Sequence, residues 1–248
     1  MVSKIQILPT EVVHLMAAGE VIDSLAAVVR ELAENAIDAH ATRVTISLWP
    51  EQWQIRLADN GDGMTLADLE QAALPHSTSK IQHRQDLWQI NSLGFRGEAL
   101  HSLAQLADLE ICSRLMDAPE GSLVRYDRQG NPHEVETVAI APGTVITASR
   151  LFENWPSRRQ SLPAIAQQLR AVQLTIQHLA LCHPQITWQV EQSDRPWFAI
   201  WSGTSAQQIL PQILREVQVA DLREWTDEKV GHHPWVISQA DDSLQDPS

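Results

Sequence analysis

The sequence predicts an α/β sandwich, in which a mixed and mostly antiparallel β-sheet is covered on one face by helices. Two observations carry this prediction. Segments that alternate apolar and polar residues follow one another along the middle of the chain with only turn residues between them. Helical segments are gathered before and after these strands, whereas a doubly wound parallel sheet would need a helix between successive strands.

Each element is predicted from its periodicity and from the turn residues beside it. Thr65 and Asp68 resemble a capping box that opens a helix, and the proline after His183 ends the longest helix. The predicted helices cover residues 25–39, 66–73, 98–106, 162–181 and 205–216. The predicted strands cover residues 43–48, 53–58, 108–114, 122–128, 133–139, 144–149, 186–191 and 197–201.

Composition limits the class of protein. A chain of 248 residues, 44% of them hydrophobic, is expected to form one large domain or one domain and part of another. The net charge of −13 argues against a strong nucleic-acid surface, although Arg158 and Arg159 leave a local basic groove open. No secretory segment and no run of about 18 apolar residues occurs, so we expect a cytoplasmic protein without membrane contact. Cys112 and Cys182 lack metal-ligand spacing and are expected to be buried, reduced thiols.

The helix at residues 25–39 has two chemically different sides. Glu31, Asn35 and Asp38 share one narrow stripe, and no lysine or arginine follows Glu31 or Glu34 at the i+4 position. Short oxygen ligands at this spacing could hold a hard cation or orient a water molecule. Taken alone, the stripe is more typical of a solvated acidic face. The apolar side is formed by Leu25, Val29, Leu32, Ala33, Ala36 and Ile37.

Two glycine-containing motifs offer binding chemistry. In DNGDG at residues 59–63, the glycines let the backbone approach a flat ligand, and a buried Asp59 would accept a hydrogen bond from an exocyclic amine. In GFRGEAL at residues 94–100, free N–H groups at a helix start, together with Arg96, would cradle an anionic phosphate chain. Each motif alone is equally typical of an ordinary turn or of a loop before a capped helix.

Two further segments belong to the same reading. Thr144 begins a strand, where its hydroxyl could reach the edge of a base, although this residue by itself says little. Residues 75–97 form a long predicted loop, typical either of a functional lid or of a disordered segment. The phosphate-loop pattern GxxxxGK and a GxGxxG after a strand are both absent from the sequence, which argues against two common nucleotide folds.

Together, in this order and spacing, the motifs resemble the Bergerat-type ATPase fold of type II topoisomerases, heat-shock chaperones, histidine kinases and mismatch-repair MutL. Within that group, the sequences of the individual motifs are most similar to those of the MutL family. The similarity is dense over residues 5–159 and thinner to about residue 205. The motifs that carry it are AAGEVI at 17–22, ELAENAIDA at 31–39, DNGDG at 59–63, HSTSK at 76–80, SLGFRGEAL at 92–100 and LFENWPSRR at 151–159.

The resemblance implies roles for individual residues. Glu31 corresponds to the general base that activates the water attacking the γ-phosphate of ATP, and Asn35 to the ligand of Mg²⁺. Asp59 corresponds to the residue that reads adenine, supported by Gly63 and Thr144. The implied nucleotide contacts are Asn35, Asp38, Asp59, Gly63, Met64, the lid residues Thr78, Ser79 and Lys80, the phosphate cradle of Gly94, Phe95, Arg96, Gly97, Glu98, Ala99 and Leu100, and Thr144.

The chain departs from the family pattern at several positions. His40 stands where a glycine is usual, which is expected to alter a helix C-cap. Residues 24–26 lack the proline common before the catalytic helix, and Glu153 and Trp155 replace a tyrosine and a threonine. Family members continue through a second α/β domain, which supplies a lysine to the γ-phosphate. We therefore expect residues 1–205 to form the ATP-binding domain and residues 206–248 an incomplete start of the second domain, in a truncated chain.

The implied function is slow, Mg²⁺-dependent ATP hydrolysis in DNA mismatch repair. ATP is expected to drive N-terminal homodimerisation, with residues 17–21 near the arm that packs across the dimer. A mismatch-recognition protein and DNA are the expected partners of the full-length protein, in the cytoplasm and at the nucleoid. Two alternatives stay open: a nucleotide-gated interaction module that does not hydrolyse ATP, and another Bergerat-fold ATPase, although GFRGEAL disfavours a topoisomerase or a histidine kinase.

Overall fold

The computed structural model of this chain describes residues 7–77 and 97–214, with short stretches at 216–218, 220, 222–224 and 235–237. The helices of the described residues are α1 (Thr10–Val21), α2 (Leu25–Asp38), α3 (Leu66–Gln71), α4 (Ala99–Leu106), α5 (Pro156–Ser161), α6 (Ile165–Cys182) and α7 (Ala206–Ile213), with a 3-10 turn at Pro50–Gln52. The strands are β1 (Arg43–Trp49), β2 (Gln54–Asp59), β3 (Asp108–Arg114), β4 (Gly121–Tyr126), β5 (Pro132–Val138), β6 (Gly143–Ser149), β7 (Thr187–Gln192), β8 (Arg195–Ile200), β9 (Leu222–Glu224) and β10 (Trp235–Ile237).

Eight strands form one open sheet in the order β5-β4-β3-β6-β2-β1-β7-β8. The pairing of β1 with β7 is parallel, and the other neighbours are antiparallel. Strands β9 and β10 form a separate antiparallel pair. The predicted fold class, a mixed and mostly antiparallel sheet with helices, is therefore confirmed.

One face of the sheet is covered and the other is open. Along β1 and β3, every second residue is buried and the residues between are half-buried, as expected when helices cover a single face. Helix α2 packs on β1 and β2, α4 on β3, and α6 on β7. Because each buried Val, Leu or Ile contributes roughly 1.5–3 kcal/mol, these alternating rows fix which face of each strand meets the helices.

Helix α2 begins and ends with recognisable caps. The hydroxyl of Ser24 accepts a hydrogen bond from the backbone N–H of Ala27 at 3.1 Å, which satisfies a free donor of the first turn. At the other end, the N–H of Ala41 donates to the carbonyl of Ala36, and that of His40 to Ile37, both at 3.0 Å. This is a Schellman motif, and His40 occupies its left-handed position with φ 59°. The expected change at this cap is wrong: histidine adopts the conformation that favours glycine.

Three helices differ from the prediction, and one of them, α5, was not predicted. The sequence does not predict α1 either, because its apolar side chains do not line one face, and Val12, Val13 and Met16 are exposed. The predicted helix 162–181 begins only at Ile165, because Pro163 disfavours helical backbone at the residue before it, Leu162. The capping box of Thr65 and Asp68 is confirmed at the start of α3.

The expectation of two buried thiols is wrong. Cys182, the last residue of α6, is exposed. Cys112 is half-buried, because the alternation of β3 turns it away from the helices while its neighbours are buried; partial burial raises the pKa of its thiol. Both thiols are free.

Within the described ranges, no single helix is long and apolar enough to cross a membrane, and only α1 and α2 taken together, across a 76° bend, reach that length and composition.

Candidate functional site

Three polar side chains end the buried rows of three neighbouring strands. Asp59 of β2 lies opposite Thr144 of β6, which in turn lies opposite Ser113 of β3. All three continue rows that are otherwise apolar and face the helices, and Thr144 and Ser113 are only 6% and 1% exposed. We call this set the polar row. Because burying a polar group costs free energy unless it is hydrogen-bonded, a row of this kind needs either internal partners or a ligand.

Asp59 is held at the end of β2 by backbone donors. The N–H of Gly61 donates to its Oδ1 at 2.8 Å, and the N–H of Thr144 also donates to this carboxylate. The pKa of Asp59 is raised from 3.8 to about 6, chiefly by burial and slightly by the nearby charge of Asp62, while the two backbone hydrogen bonds oppose the rise. Asp59 is therefore ionised at neutral pH, and its carboxylate can accept hydrogen bonds.

The turn after Asp59 lies against backbone that leaves no space for a side chain. A Cβ on Gly63, which has φ 76°, would lie 2.2 Å from the carbonyl oxygen of Arg114. Gly143 has φ 121°, and a Cβ there would lie 2.1 Å from the carbonyl oxygen of Asp59. Both positions therefore require glycine, which lets the turn lie against the end of β3 and the start of β6 lie against Asp59.

Ser113 is a site residue that the sequence analysis missed. Its hydroxyl accepts a hydrogen bond from the N–H of Met64 at 2.8 Å, donates to the carbonyl of Gly143 at 3.1 Å, and lies 2.9 Å from the hydroxyl of Thr144. The signal was present in the sequence. Leu109, Ile111 and Ser113 are alternate residues of one strand and so lie on the same buried face, and only the third of them is polar.

The acidic stripe of α2, formed by Glu31, Asn35 and Asp38, is partly buried. Glu31, Glu34, Asn35 and Asp38 are all partly buried, and the side chain of Glu31 is 22% exposed. This burial is greater than that of an ordinary exposed acidic face, as expected if the stripe borders a site. The Glu31 carboxylate lies 3.4 Å from the guanidinium of the exposed Arg30.

The end of α2 is bonded to the turn that follows Asp59. The N–H of Asp62 donates to the carbonyl of Ala39 at 2.8 Å, and the carboxylate of Asp62 lies 2.7 Å from Nδ1 of His40. A Cβ on Gly61 would lie 2.4 Å from the same Ala39 carbonyl. The sheet end that carries Asp59 and the helix that carries Glu31 are thus joined directly by these contacts.

The start of α4 is described, and most of the predicted phosphate cradle is not. Gly97 has φ 63°, and a Cβ there would lie 2.6 Å from the carbonyl oxygen of Ser77, so the two chain segments nearly touch. Glu98 precedes the helix without capping it and forms an ion pair with His76. Glu98 therefore leaves the first N–H groups of α4 without a side-chain cap from the N-cap position, and free N–H groups of this kind are what an anion site at a helix start uses. Thr78, Ser79, Lys80, Gly94, Phe95 and Arg96 lie outside the described residues.

The remaining predicted contacts fall on two sides of this site. Gly63, Met64 and Thr144 lie together around Asp59, while Ala99 and Leu100 open α4. In the described part of the chain, no group of three or more His, Cys, Asp or Glu side chains could hold a metal ion. Mg²⁺ is commonly held by one or two protein oxygens together with phosphates and waters, so a single amide oxygen from Asn35 fits this ion.

The basic pair of the sequence analysis is engaged inside the molecule. The guanidinium of Arg159 lies over the ring of Trp53, 4.7 Å from its centroid, and an Nη atom of Arg158 lies 3.4 Å from the carbonyl oxygen of Asp23. These contacts join the last turn of α5 to the turn before α2 and to the residue that precedes β2.

The chain is similar in sequence to a family of ATPases and to mismatch-repair proteins. Residues 23–146, half of the chain, match the family described as histidine kinase-, DNA gyrase B- and HSP90-like ATPases. The DNA mismatch repair protein MutL of Nostoc punctiforme is 62% identical over 90% of this chain and 39% of its own length, and that of Rippkaea orientalis is 60% identical over 90% and 40%. The chain therefore spans about two fifths of the length of these relatives.

Solved structures agree with the fold. The Aquifex aeolicus MutL ATPase domain complexed with ADP matches with a TM-score of 0.63 and 25% identity, over 82% of this chain and 72% of that one. The N-terminal domain of a DNA repair protein matches with a TM-score of 0.71 and 27% identity, over 86% and 63%. The chain belongs to the histidine kinase-, DNA gyrase B- and HSP90-like ATPase family and, within it, to the N-terminal ATPase region of the MutL mismatch-repair proteins.

Proposed function

We propose that this chain binds ATP with Mg²⁺ between the polar row, the acidic stripe of α2 and the start of α4, and hydrolyses it slowly. The observation that carries the proposal is Asp59. Its carboxylate lies half-buried at the end of an otherwise apolar row, held by two backbone donors and beside Thr144. A carboxylate kept ionised in such a place is suited to accept a hydrogen bond from the exocyclic amine of adenine.

Hydrolysis is assigned to Glu31. Its carboxylate lies on the partly buried stripe of α2, one helical turn before Asn35, and would take a proton from the water that attacks the γ-phosphate. Asn35 would hold Mg²⁺, which supplies positive charge to the phosphates when bound. Asp38 ends the same helix beside the turn of the polar row, and Met64 donates its backbone N–H to Ser113 within that row.

The phosphates are assigned to the start of α4. The N–H groups of Ala99 and Leu100 open this helix, and Gly97 lets the chain pass close to Ser77. Thr78, Ser79, Lys80, Gly94, Phe95 and Arg96 complete the proposed cradle and lid by their agreement with the MutL motifs. Glu98 contributes through the backbone at the helix start.

The wider roles are proposals for the full-length protein. We assign residues 1–205 to the ATP-binding domain and residues 206–248 to the start of a second domain; α7 packs on α6 and β8 as the connection. ATP would drive homodimerisation through the N-terminal region and engagement of a mismatch-recognition protein and DNA, in the cytoplasm. The similarity to MutL over 90% of this chain supports these assignments.

The test measures binding and turnover on the same sample. Glu31→Ala is expected to leave ATP affinity nearly unchanged and to slow phosphate release by about 10²–10⁴-fold, the usual range for removal of a general base. Glu70→Ala is the matched control, because Glu70 is an exposed helical glutamate on α3 away from the stripe. Asn35→Ala should instead weaken the part of ATP affinity that depends on Mg²⁺.

Two results would contradict the proposal. If Glu31→Ala releases phosphate at the parent rate, then Glu31 is not the base. If the parent chain binds ATP and releases no phosphate above the background of the doubly substituted Glu31→Ala, Asn35→Ala chain, then the protein is a nucleotide-gated module rather than an ATPase.

A further inference from the structure

The hydroxyl of Ser113 has all of its hydrogen-bonding capacity in use. A serine hydroxyl has one proton to donate and two lone pairs to accept with. The N–H of Met64 can only donate to it, and the carbonyl of Gly143 can only accept from it. These two bonds, at 2.8 and 3.1 Å, occupy one lone pair and the only proton of Ser113. One lone pair of Ser113 is left for its third neighbour, Thr144.

This count fixes the direction of the bond between the two hydroxyls. Ser113 and Thr144 lie 2.9 Å apart, and either could donate if the pair were isolated. Because the proton of Ser113 goes to Gly143, the proton of Thr144 must go to Ser113. The Thr144 hydroxyl then has two lone pairs and no proton to offer to a ligand. It lies in register beside Asp59, whose ionised carboxylate can also only accept.

We infer that Ser113 is a specificity-determining positioning residue, which makes Thr144 an acceptor and so gives the base-reading end of the site two neighbouring acceptors. This inference rests on the proposed function, in which the base of ATP lies against Asp59 and Thr144. An exocyclic amine has two N–H groups and satisfies both acceptors. A carbonyl at the same position of the purine faces two acceptors and is rejected. Ser113 acts through Thr144 and does not itself touch the base.

A purely structural role for Ser113 makes a different prediction. In that case the hydroxyl is present only to satisfy the N–H of Met64 and to hold the turn over β6. Its loss would disturb the pocket and weaken the binding of every purine nucleotide by a similar factor. The inferred role predicts a change in the ratio between nucleotides, because only the hydrogen-bonding direction of Thr144 is altered.

The experiment compares ATP with inosine triphosphate, which carries a carbonyl in place of the amine and an N–H in place of the lone pair of the neighbouring ring nitrogen. Both dissociation constants are measured by competition binding on the parent chain, on Ser113→Ala and on Ser122→Ala. Ser122 lies opposite Ser113 on β4, one strand further from Thr144, and is the matched control. In Ser113→Ala the Thr144 proton is free to turn toward the carbonyl, so the preference for ATP should fall by roughly tenfold. Ser122→Ala should keep the parent ratio.

The outcomes separate this inference from the proposed function. A parent chain that binds neither nucleotide, or both equally, overturns the proposed function and the inference with it. A parent that prefers ATP while Ser113→Ala keeps or increases that preference overturns the inference alone.

A second measurement needs no substitution and covers the case in which Ser113→Ala does not fold. Purine riboside triphosphate, which has only hydrogen at the same position, should bind the parent chain more tightly than inosine triphosphate, because it offers no acceptor to the pair. Equal binding of these two nucleotides would overturn the inference.

Discussion

The three central strands β2, β6 and β3 end in opposite chemistry at their two ends. At one end, Asp59, Thr144 and Ser113 form the polar row. Four residues along the same strands, Ile55, Ala148 and Leu109 lie opposite one another in the same register, which we call the apolar row. Burial separates the two rows only at Asp59, which is half-buried, whereas Ser113 is 1% exposed and Leu109 is 2% exposed. The main difference between the two ends of these strands is therefore the chemistry of their side chains.

The comparison shows that the apolar row stabilises the domain, whereas the polar row costs some stability. The apolar row contributes free energy through burial alone. In the polar row, two hydroxyls and part of a carboxylate are removed from water. The lost free energy of hydration is offset by hydrogen bonds among these groups and to the turn. Such an arrangement is suited to binding, because its remaining acceptors are directed by neighbours that cannot move without breaking the sheet. The two rows should therefore respond to substitution in opposite ways.

The largest expected effect is on base choice at the polar row. The parent chain should prefer ATP over GTP by a factor approaching ~10⁴, because guanine presents a carbonyl where Asp59 needs a donor. In Asp59→Asn the side-chain amide can donate to that carbonyl, so the preference should fall to within about tenfold. Competition binding with both nucleotides measures this. Equal affinities of the parent chain for ATP and GTP would remove Asp59 from the role, and Ile55→Ala, in the apolar row, should keep the parent ratio.

The next effect is on stability at the apolar row. Ile55 is fully buried, and Ile55→Ala should lower the free energy of unfolding by about 2–5 kcal/mol, through lost burial and the cavity left behind. Urea denaturation followed by tryptophan fluorescence measures it. A variant that lost base discrimination as strongly as Asp59→Asn while unfolding at the parent urea concentration would show that the two rows are not separate in function.

Much of this organisation could be predicted from the sequence, and the failures have physical causes. All eight strands of the main sheet were predicted, β1 and β2 from period-two alternation and β3 to β6 from segments bounded by turn residues, and α3 follows from the Thr65–Asp68 box. Helix α1 could not be predicted, because its apolar residues serve no single face. Asp59 and Thr144 were found from motifs, whereas Ser113 was missed. A single serine in a strand is a common feature, and only its place on the same buried face as Leu109 and Ile111 sets it apart.

The contacts that join the end of α2 to the turn after Asp59 could not be predicted at all. They join Ala39 to Asp62 and His40 to the same residue, and these contacts exist only after the sheet and the helix are packed. Sequence motifs give the residue types on each side of the site, and the tertiary structure supplies the distance between the sides.

A third effect is the cost of the polar row in stability and its dependence on pH. The pKa of Asp59 is raised from 3.8 to about 6, so between these values the folded chain holds a proton that the unfolded chain has released. Stability from this group is therefore highest below about pH 4 and falls as the pH rises through 6. Asp59→Asn should raise the free energy of unfolding by about 1–2 kcal/mol at pH 7.5, and the gain should vanish at pH 4.

Urea denaturation of both chains at pH 4, 5, 6 and 7.5 checks this third prediction. A parent chain that becomes more stable than Asp59→Asn as the pH rises would reverse the sign. It would mean that the backbone donors of Gly61 and Thr144 outweigh the cost of burying the charge.

The smallest expected effect lies at the contact between α2 and the polar row, where His40 holds a left-handed backbone with φ 59°. A non-glycine residue in this conformation costs roughly 1–2 kcal/mol. Its compensation is the contact with Asp62, and both side chains of that pair are largely exposed, at 80% and 66%. An exposed pair of this kind is worth less than about 1 kcal/mol. His40→Gly should therefore raise the free energy of unfolding by about 0.5–1 kcal/mol, while His40→Ala, which keeps the strain and loses the contact, should lower it slightly. Urea denaturation of the three chains at pH 7.5 decides the matter. If glycine destabilises the chain as much as alanine does, then the contact with Asp62 outweighs the strain, and the turn of the polar row is held to α2 by its side chains rather than by the Asp62–Ala39 backbone bond.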